Sequence, residues 1–247
     1  METWQDRGVI LLTRPHGEGG SVVSALTENH GLYSGYVPGG MSSKMRAVCQ
    51  LGNLVQISWQ ARLSEYLGRF SLDAEKSYSA SIFEKPMALK ALKSACALCQ
   101  TSLAERESNP AQFHGLCALL EILVADEWPM GYIAWEIGFL KEQGCSLDLA
   151  SCVVTGDDRD LYYVSPKSGR AVCKKEGDPY KDKLLILPEF LKPRPDMGSA
   201  PSLEEQMLQG LKMTSYFIEN YIYGQTTRPV PDARERLLEA FAEDSCV

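Results

Sequence analysis

The chain has 247 residues, 45% hydrophobic and 23% charged, with a formal net charge of −7. That composition suits a globular protein with room for two modest domains. No apolar run reaches the 18 residues a membrane-crossing helix requires, so none is expected. The negative balance excludes a chain that binds a polyanion over its whole surface and leaves only local basic patches to do so.

The start, METWQDRGVILL, lacks the basic flank and long apolar core of a secretory signal, and a cytoplasmic, nucleoid-associated location is the expectation. Val9–Leu12, bounded by Gly8 and Arg14, predicts a buried strand within residues 4–14. PHGEGG (15–20) is a turn, Ser21–Thr27 a second strand, Glu28–Gly31 a tight turn and Leu32–Val37 a third strand. Pro38-Gly39-Gly40 ends that pairing and leads into a loop, Met41–Val48. Leu54–Arg62 alternates with period two, placing Val55, Ile57, Trp59 and Ala61 on one face and Gln56, Ser58, Gln60 and Arg62 on the other. Residues 68–75 repeat the pattern, with Phe70, Leu72 and Ala74 inward. Five short antiparallel strands in so short a stretch predict a small closed β-barrel, and residues 1–80 are taken as one domain.

At Pro86 the period changes. Apolar positions at 88, 92, 95, 96, 99 and 103 give a helical stripe. Asn109-Pro110 caps a second helix, and a third covers roughly Trp128–Gln143, stopping at Gly144. Within residues 145–190, Leu161–Ser165 and Arg170–Cys173 flank Pro166–Gly169 as a hairpin, and residues 192–201 form a loop. Ser202–Glu205 carries a capping-box pattern ahead of a long helix ending at Gly224. Asp232 starts a last short helix, and the tail EDSCV is expected to fray. The expected class is α+β: a barrel, then a mainly helical domain over residues 81–247 with a hairpin inserted.

Catalytic chemistry is hard to place. There are three histidines, none in a nucleophile or metal motif, and neither G-x-S-x-G, H-E-x-x-H nor a phosphate-cradling glycine loop occurs. No enzyme is expected, and no cofactor. Eight cysteines at irregular spacing in a long chain argue against a disulfide framework. Cys96 and Cys99 fall on the helical stripe and read as buried thiols. Cys152 and Cys173 flank the hairpin like half of a zinc ribbon, but Thr155 and Glu176 stand where the other two thiolates would be, so no metal is expected.

The distribution of charge is more informative than its sum. Residues 1–80 hold seven Lys/Arg and seven Asp/Glu, so the whole net charge resides in residues 81–247. From Tyr36 to Arg62 there are three basic residues and no acid. Arg14, Lys44, Arg46, Arg62 and Arg69, on strand faces and an intervening Gly/Ser loop, are the candidate contacts to sugar–phosphate chains. Trp59 belongs to the inward set, which leaves that face without an identified base-stacking aromatic.

Two stretches, VILLTRPHGEGGSVVSALTENHG (9–31) and YVPGGMSSKMRAVCQLGNLVQISW (36–59), resemble the N-terminal domain of the bacterial recombination protein O (RecO) family. EWPMGYIAWEIGFLKEQGCSLDLASCVVTG (127–156) and YVSPKSGRAVC (163–173) resemble its central helix and hairpin. The resemblance implies an N-terminal OB-fold, a helical second domain and often a zinc-binding hairpin, of which Cys152 and Cys173 match and Thr155 and Glu176 depart. It also implies a non-catalytic mediator in the RecF pathway. Such a protein binds single- and double-stranded DNA, anneals strands, contacts RecR and the C-terminal tail of single-strand-binding protein, and helps load RecA. The negative net charge supports a rival, a protein-docking adaptor with no nucleic-acid role. An enzyme with a cysteine nucleophile is a third reading, disfavoured because no cysteine has a motif histidine.

Overall fold

The computed structural model describes residues 1–125, 128–196, 198 and 200–244. Two compact units result, Met1–Trp128 with Pro231–Arg234, and Pro129–Val230 with Glu235–Val247. No helix among the described residues is long and apolar enough to cross a membrane.

The first unit opens with five strands: β1 (Glu2–His16), β2 (Gly20–Thr27), β3 (Gly31–Val37), β4 (Leu54–Ala61) and β5 (Arg69–Lys76). They close into a barrel in the order β1-β2-β3-β5-β4. β1 does double duty. Its first half pairs with β4, from Glu2–Ala61 to Val9–Leu54, and its second half with β2, from Gly8–Thr27 to His16–Gly20. A bulge between Ile10 and Leu12 turns the strand from one partner to the other. The interior is Ile10, Val23, Ala25, Tyr33, Ile57, Trp59, Phe70 and their neighbours.

The inward set expected for β4 is buried in full, and Trp59 is core at 2% exposure. Ala74 is a correction: it is exposed, not inward. The β4–β5 register shifts between Leu54 and Val55, so that Val55 faces Ala74 and Leu54 faces Lys76, and the end of β5 leaves the core. A second correction concerns Met41–Val48, expected as a loop. Residues Ser43–Val48 form a short helix, α1, whose first turn is capped by Ser42 Oγ accepting from the Met45 N–H. Met45 and Val48 pack against the barrel core and Cys49 is buried within it, so the segment plugs the barrel rather than hanging free. Six residues are too few to display a helical period.

Helix α2 (Tyr78–Ile82) packs against α3 (Pro86–Ser102) and α4 (Pro110–Val124), and these two fold onto β1 and β2 in the same unit. The expected Asn109 cap is present, its side chain accepting from the Gln112 N–H. Cys96 and Cys99 are buried, and burial pushes the Cys96 thiol up to about 12. The cover explains the run Val9–Leu11. In a bare barrel alternate residues would face water, whereas here both faces of β1 are buried at that point. The rim of the contact is polar: His114 Nε2 lies 3.3 Å from Glu28 and Lys76 pairs with Glu121 at 2.7 Å, while between strands of the barrel Arg7 pairs with Glu75. Asp6, 7% exposed, fastens the β2–β3 turn by accepting from Asn29 N, Asn29 Nδ2 and His30 Nδ1.

The second unit contains α5 (Trp128–Glu142) from Pro129 on, ended as expected at Gly144, which has φ +87°. The hairpin is β6 (Leu161–Val164) and β7 (Ala171–Cys173), extended by an unforeseen strand β8 (Leu185–Ile186) on the far side of β6. A turn of helix, α6 (Lys174–Gly177), follows β7. Helix α7 (Leu203–Phe217) starts with Ser202 Oγ accepting from the Glu205 N–H, as the capping box requires, and passes into a π-helical stretch, Ile218–Tyr223. Gly210 of α7 lets Ile133 of α5 approach, and Thr214 donates to the buried Glu136 beside it. Helix α8 is Asp232–Asp244, so Glu243 and Asp244 of the EDSCV tail expected to fray are helical; Ser245–Val247 lie outside the described residues, as do Met197 and Ser199 of the 192–201 loop.

The hairpin is tied to the segment before it by sulfur. Cys173 N–H donates to Cys152 Sγ at 3.2 Å, the Thr155 hydroxyl lies 3.4 Å from Cys173 Sγ, and that thiol reaches the Arg159 carbonyl. Burial alone would raise the Cys152 thiol, but hydrogen bonds from the side chains and N–H groups of Thr155 and Cys173 outweigh it and bring it down to about 6.

Two outcomes follow from this packing. At Gly35 an added Cβ would sit 2.5–2.7 Å from the Phe70 ring. Valine favours strands by no more than ~1 kcal/mol, whereas overpacking costs about 1–3 kcal/mol. Gly35→Val is therefore expected to lower the midpoint of thermal unfolding. The Cys152 thiolate contributes stability that is full above the unfolded thiol's value near 9 and is lost as pH falls through about 6. Urea unfolding between pH 6 and 9 should show stability rising with pH, and Cys152→Ser should flatten that part of the curve.

Candidate nucleic-acid interface

Barrel registers place the candidate cations. Arg14 pairs with Val22, Val22 with Tyr36, Tyr36 with Arg69 and Arg69 with Gln60. Residues opposite one another across strands project to the same side, so Arg14, Tyr36 and Arg69 form one outward row. Arg14 and Arg69 stand three strand spacings apart on it, on the order of 14 Å. Arg62, just past β4, and Arg69 together line a pocket with Gln60 and Gly68. Arg46 comes to the end of β1 from its other side, lining a recess with Thr13, Pro15 and Gly40. Lys44 is exposed on the same helix as Arg46. The structure thus brings Arg14, Arg62 and Arg69 onto one side and leaves Lys44 and Arg46 on the α1 plug.

All five are exposed, and none forms an ion pair among the described residues. The other two cations of residues 1–80 differ. Arg7 is held by Glu75 and Glu28, and Lys76 by Glu121. The barrel's basic residues therefore divide into one held by its own acids, one held by Glu121 of α4, and five left over.

Beside Arg69 the outer face of β1, β4 and β5 is concave. A cleft of about 500 Å³ is lined by Thr3, Gln5, Ser58, Gln60, Ser71 and Arg69, with Trp4 and Trp59 behind. These side chains offer hydroxyls, amides and a guanidinium, and no carboxylate. The helices cover β1 and β2, so the β4–β5 side of the barrel is the open one.

Three features escaped the sequence reading. Tyr36, half-buried on the cation row, has its ring across Gly20, where any Cβ would collide with it, and meets His16 edge-on at 5.9 Å. Tyr36 thus supplies an aromatic on the face for which the sequence identifies none, because Leu32–Val37 lacks the alternation that would assign its faces. The β4–β5 loop exposes Leu63, Tyr66 and Leu67. Arg106, beyond α3, reaches that loop and lies 5.0 Å over the Tyr33 ring. No local pattern marks such a residue.

The hairpin does not fit a structural zinc site. Among the described residues no three His, Cys, Asp or Glu converge. Position 155 is a threonine whose hydroxyl is hydrogen-bonded to Cys173, and Cys152 Sγ takes its N–H donor from Cys173. Two sulfurs cannot complete a tetrahedral set.

Comparison with known proteins identifies both parts of the chain. Residues 1–77 match the family described as recombination protein O N terminal, and residues 86–228 the one described as recombination protein O C terminal. The DNA repair protein RecO of Rhodospirillum centenum is 42% identical over 240 residues, covering 96% of this chain and 94% of that protein. Those of Rhodospirillum rubrum and Caulobacter vibrioides are 38% and 39% identical, each over 97% of this chain and 96% and 98% of their own length. With two family models spanning its barrel and its helical part, and relatives matched nearly end to end, the chain belongs to the recombination protein O family.

Proposed function

We propose that this chain is a DNA repair protein acting in recombination, a non-catalytic mediator whose barrel is an OB-fold that holds DNA through its sugar–phosphate backbone. Arg14, Arg62 and Arg69 are the main contacts on the open side, and Lys44 and Arg46 extend the cationic surface around the α1 plug. The observation that carries this reading is the division of the barrel's cations. Five of the seven Lys/Arg of residues 1–80 are exposed and unpaired among the described residues, next to a cleft without carboxylates. A folded surface with no anionic ligand would gain by pairing some of them with its own acids, as Arg7 and Lys76 do.

On this reading the protein binds and anneals single strands, and also engages duplex. Its partners are RecR and the C-terminal tail of single-strand-binding protein, through which it helps load recombinase onto coated DNA. The hairpin is a degenerate zinc-ribbon-like module kept without metal by its sulfur hydrogen bonds. The family membership supports these roles, and the acidic balance of residues 81–247 leaves the DNA contact to the barrel. That same balance favours the second reading, a docking adaptor with no nucleic-acid role.

A salt titration of oligonucleotide affinity separates the two. For single strands the logarithm of affinity should fall with the logarithm of salt, by about 0.7 per phosphate contact. Arg62→Glu with Arg69→Glu should weaken binding at low salt and make that slope shallower. No measurable binding at low salt would support the adaptor, and binding indifferent to both salt and these charge reversals would remove the phosphate assignment.

A further inference from the structure

The β4–β5 connection, Arg62–Gly68, is unusual in how its backbone is used. From Leu63 to Gly68 every carbonyl accepts a hydrogen bond. Leu63 O takes the Tyr66 N–H at 3.2 Å, and Tyr36 N–H reaches Gly68 O at 3.0 Å. Trp59 Nε1 donates to Leu67 O at 3.0 Å. The three carbonyls between, of Ser64, Glu65 and Tyr66, all accept from the Arg106 guanidinium. Arg106 is itself fixed: its N–H donates to Leu32 O at 2.9 Å, its neighbour Glu105 bridges to Leu32 beside β3, and its guanidinium lies over Tyr33. It adopts φ +64°, a conformation uncommon for a residue with a Cβ.

A surface loop normally gives its carbonyls to water and turns its apolar side chains inward. This one does the reverse. Its carbonyls are engaged within the protein, five of the six from outside the loop, while Leu63 is 43%, Tyr66 53% and Leu67 41% exposed. The loop begins at Arg62 and ends next to Arg69, the two cations that share a pocket with Gly68. A braced loop presenting a phenol ring and two aliphatic side chains, with Glu65 its one carboxylate, between two arginines that form no ion pair among the described residues matches a ligand with flat apolar faces strung on an anionic chain. In duplex those faces are stacked inside, and only in unpaired strands are they available.

We propose that Arg106 is the positioning residue of a preorganised recognition loop, and that Tyr66, flanked by Leu63 and Leu67, stacks on unpaired bases. This rests on the barrel's binding nucleic acid and narrows it to single strands at this loop.

The test measures fluorescence anisotropy of the full chain with a labelled single strand and with duplex across a salt range, alongside hydrogen exchange of the 62–68 amides. Tyr66→Ala should weaken single-strand binding roughly 5- to 150-fold, the range for losing one stacked base. Duplex binding and the salt slope should be unchanged, because no phosphate contact is lost, and Tyr66→Phe should retain affinity. Arg106→Gln should speed exchange in 62–68 and weaken single-strand binding, again with the slope intact, and Arg106→Lys should recover only part of both. A slope shallower by about 0.7 in Arg106→Gln would make Arg106 a phosphate ligand and overturn its positioning role. Tyr66→Ala that binds like the parent, or loses single strand and duplex alike, would overturn the stacking role, and it remains informative if Arg106→Gln fails to fold, since Tyr66 is a surface side chain. A parent chain that binds no single strand at low salt would instead defeat the barrel reading itself.

Discussion

Closure of the barrel between β3 and β5 is the constraint on which the rest depends. The two strands meet in parallel at one pair, Tyr36 with Arg69, and that meeting is possible because Gly35 leaves room for the Phe70 ring. A single ladder pair is a weak bond by itself, so its strength comes from the aromatic core beneath, where Phe70, Trp59, Tyr33 and Trp4 stack and cross within about 5–6 Å. Once the seam is shut, Arg69 stands beside Tyr36, the polar cleft forms beside them, and the β4–β5 loop is carried to the seam's edge. The interface is therefore a by-product of how the sheet closes.

Helices α3 and α4 decide which part of this shell remains usable. They cover β1 and β2, and the Lys76–Glu121 ion pair and the His114–Glu28 contact tie down the rim. Each exposed pair adds little stability, on the order of 0–1 kcal/mol. Their larger effect is on charge: Glu121 of α4 takes up Lys76, Glu75 and Glu28 of the barrel hold Arg7, and Arg14, Arg62 and Arg69 are left without an ion pair among the described residues. A chain of net charge −7 can in this way still present a local group of cations.

Much of the fold was legible because the relevant signals are local. Alternation along Val55–Ala61, the Asn109-Pro110 and Ser202–Glu205 caps and the stop at Gly144 each depend on a few neighbouring residues, and each recurs in the structure. What was missed depends on distant contacts. Ala74 is turned out by a register shift made with Leu54, on another strand. Ser43–Val48 is helical because Met45 and Val48 find the barrel's core below them. The five cations were found from charge distribution, but not their division between the seam and the plug, which follows from pairing register. Arg106 had no sequence signature at all, since its role is created by carbonyls about forty positions earlier in the chain.

The loop held by Arg106 has one more consequence, for the entropy of association. A flexible segment that grips a ligand loses conformational freedom at that moment, roughly 1–2 kcal/mol per ordered residue, and its affinity is reduced accordingly. Here much of the freedom of residues 63–68 is given up as the chain folds, because every carbonyl is engaged and five of the six are held by donors outside the loop. Whatever contacts the loop makes with a ligand can pass into affinity with little deduction, so a small and only locally cationic surface need not be a feeble one.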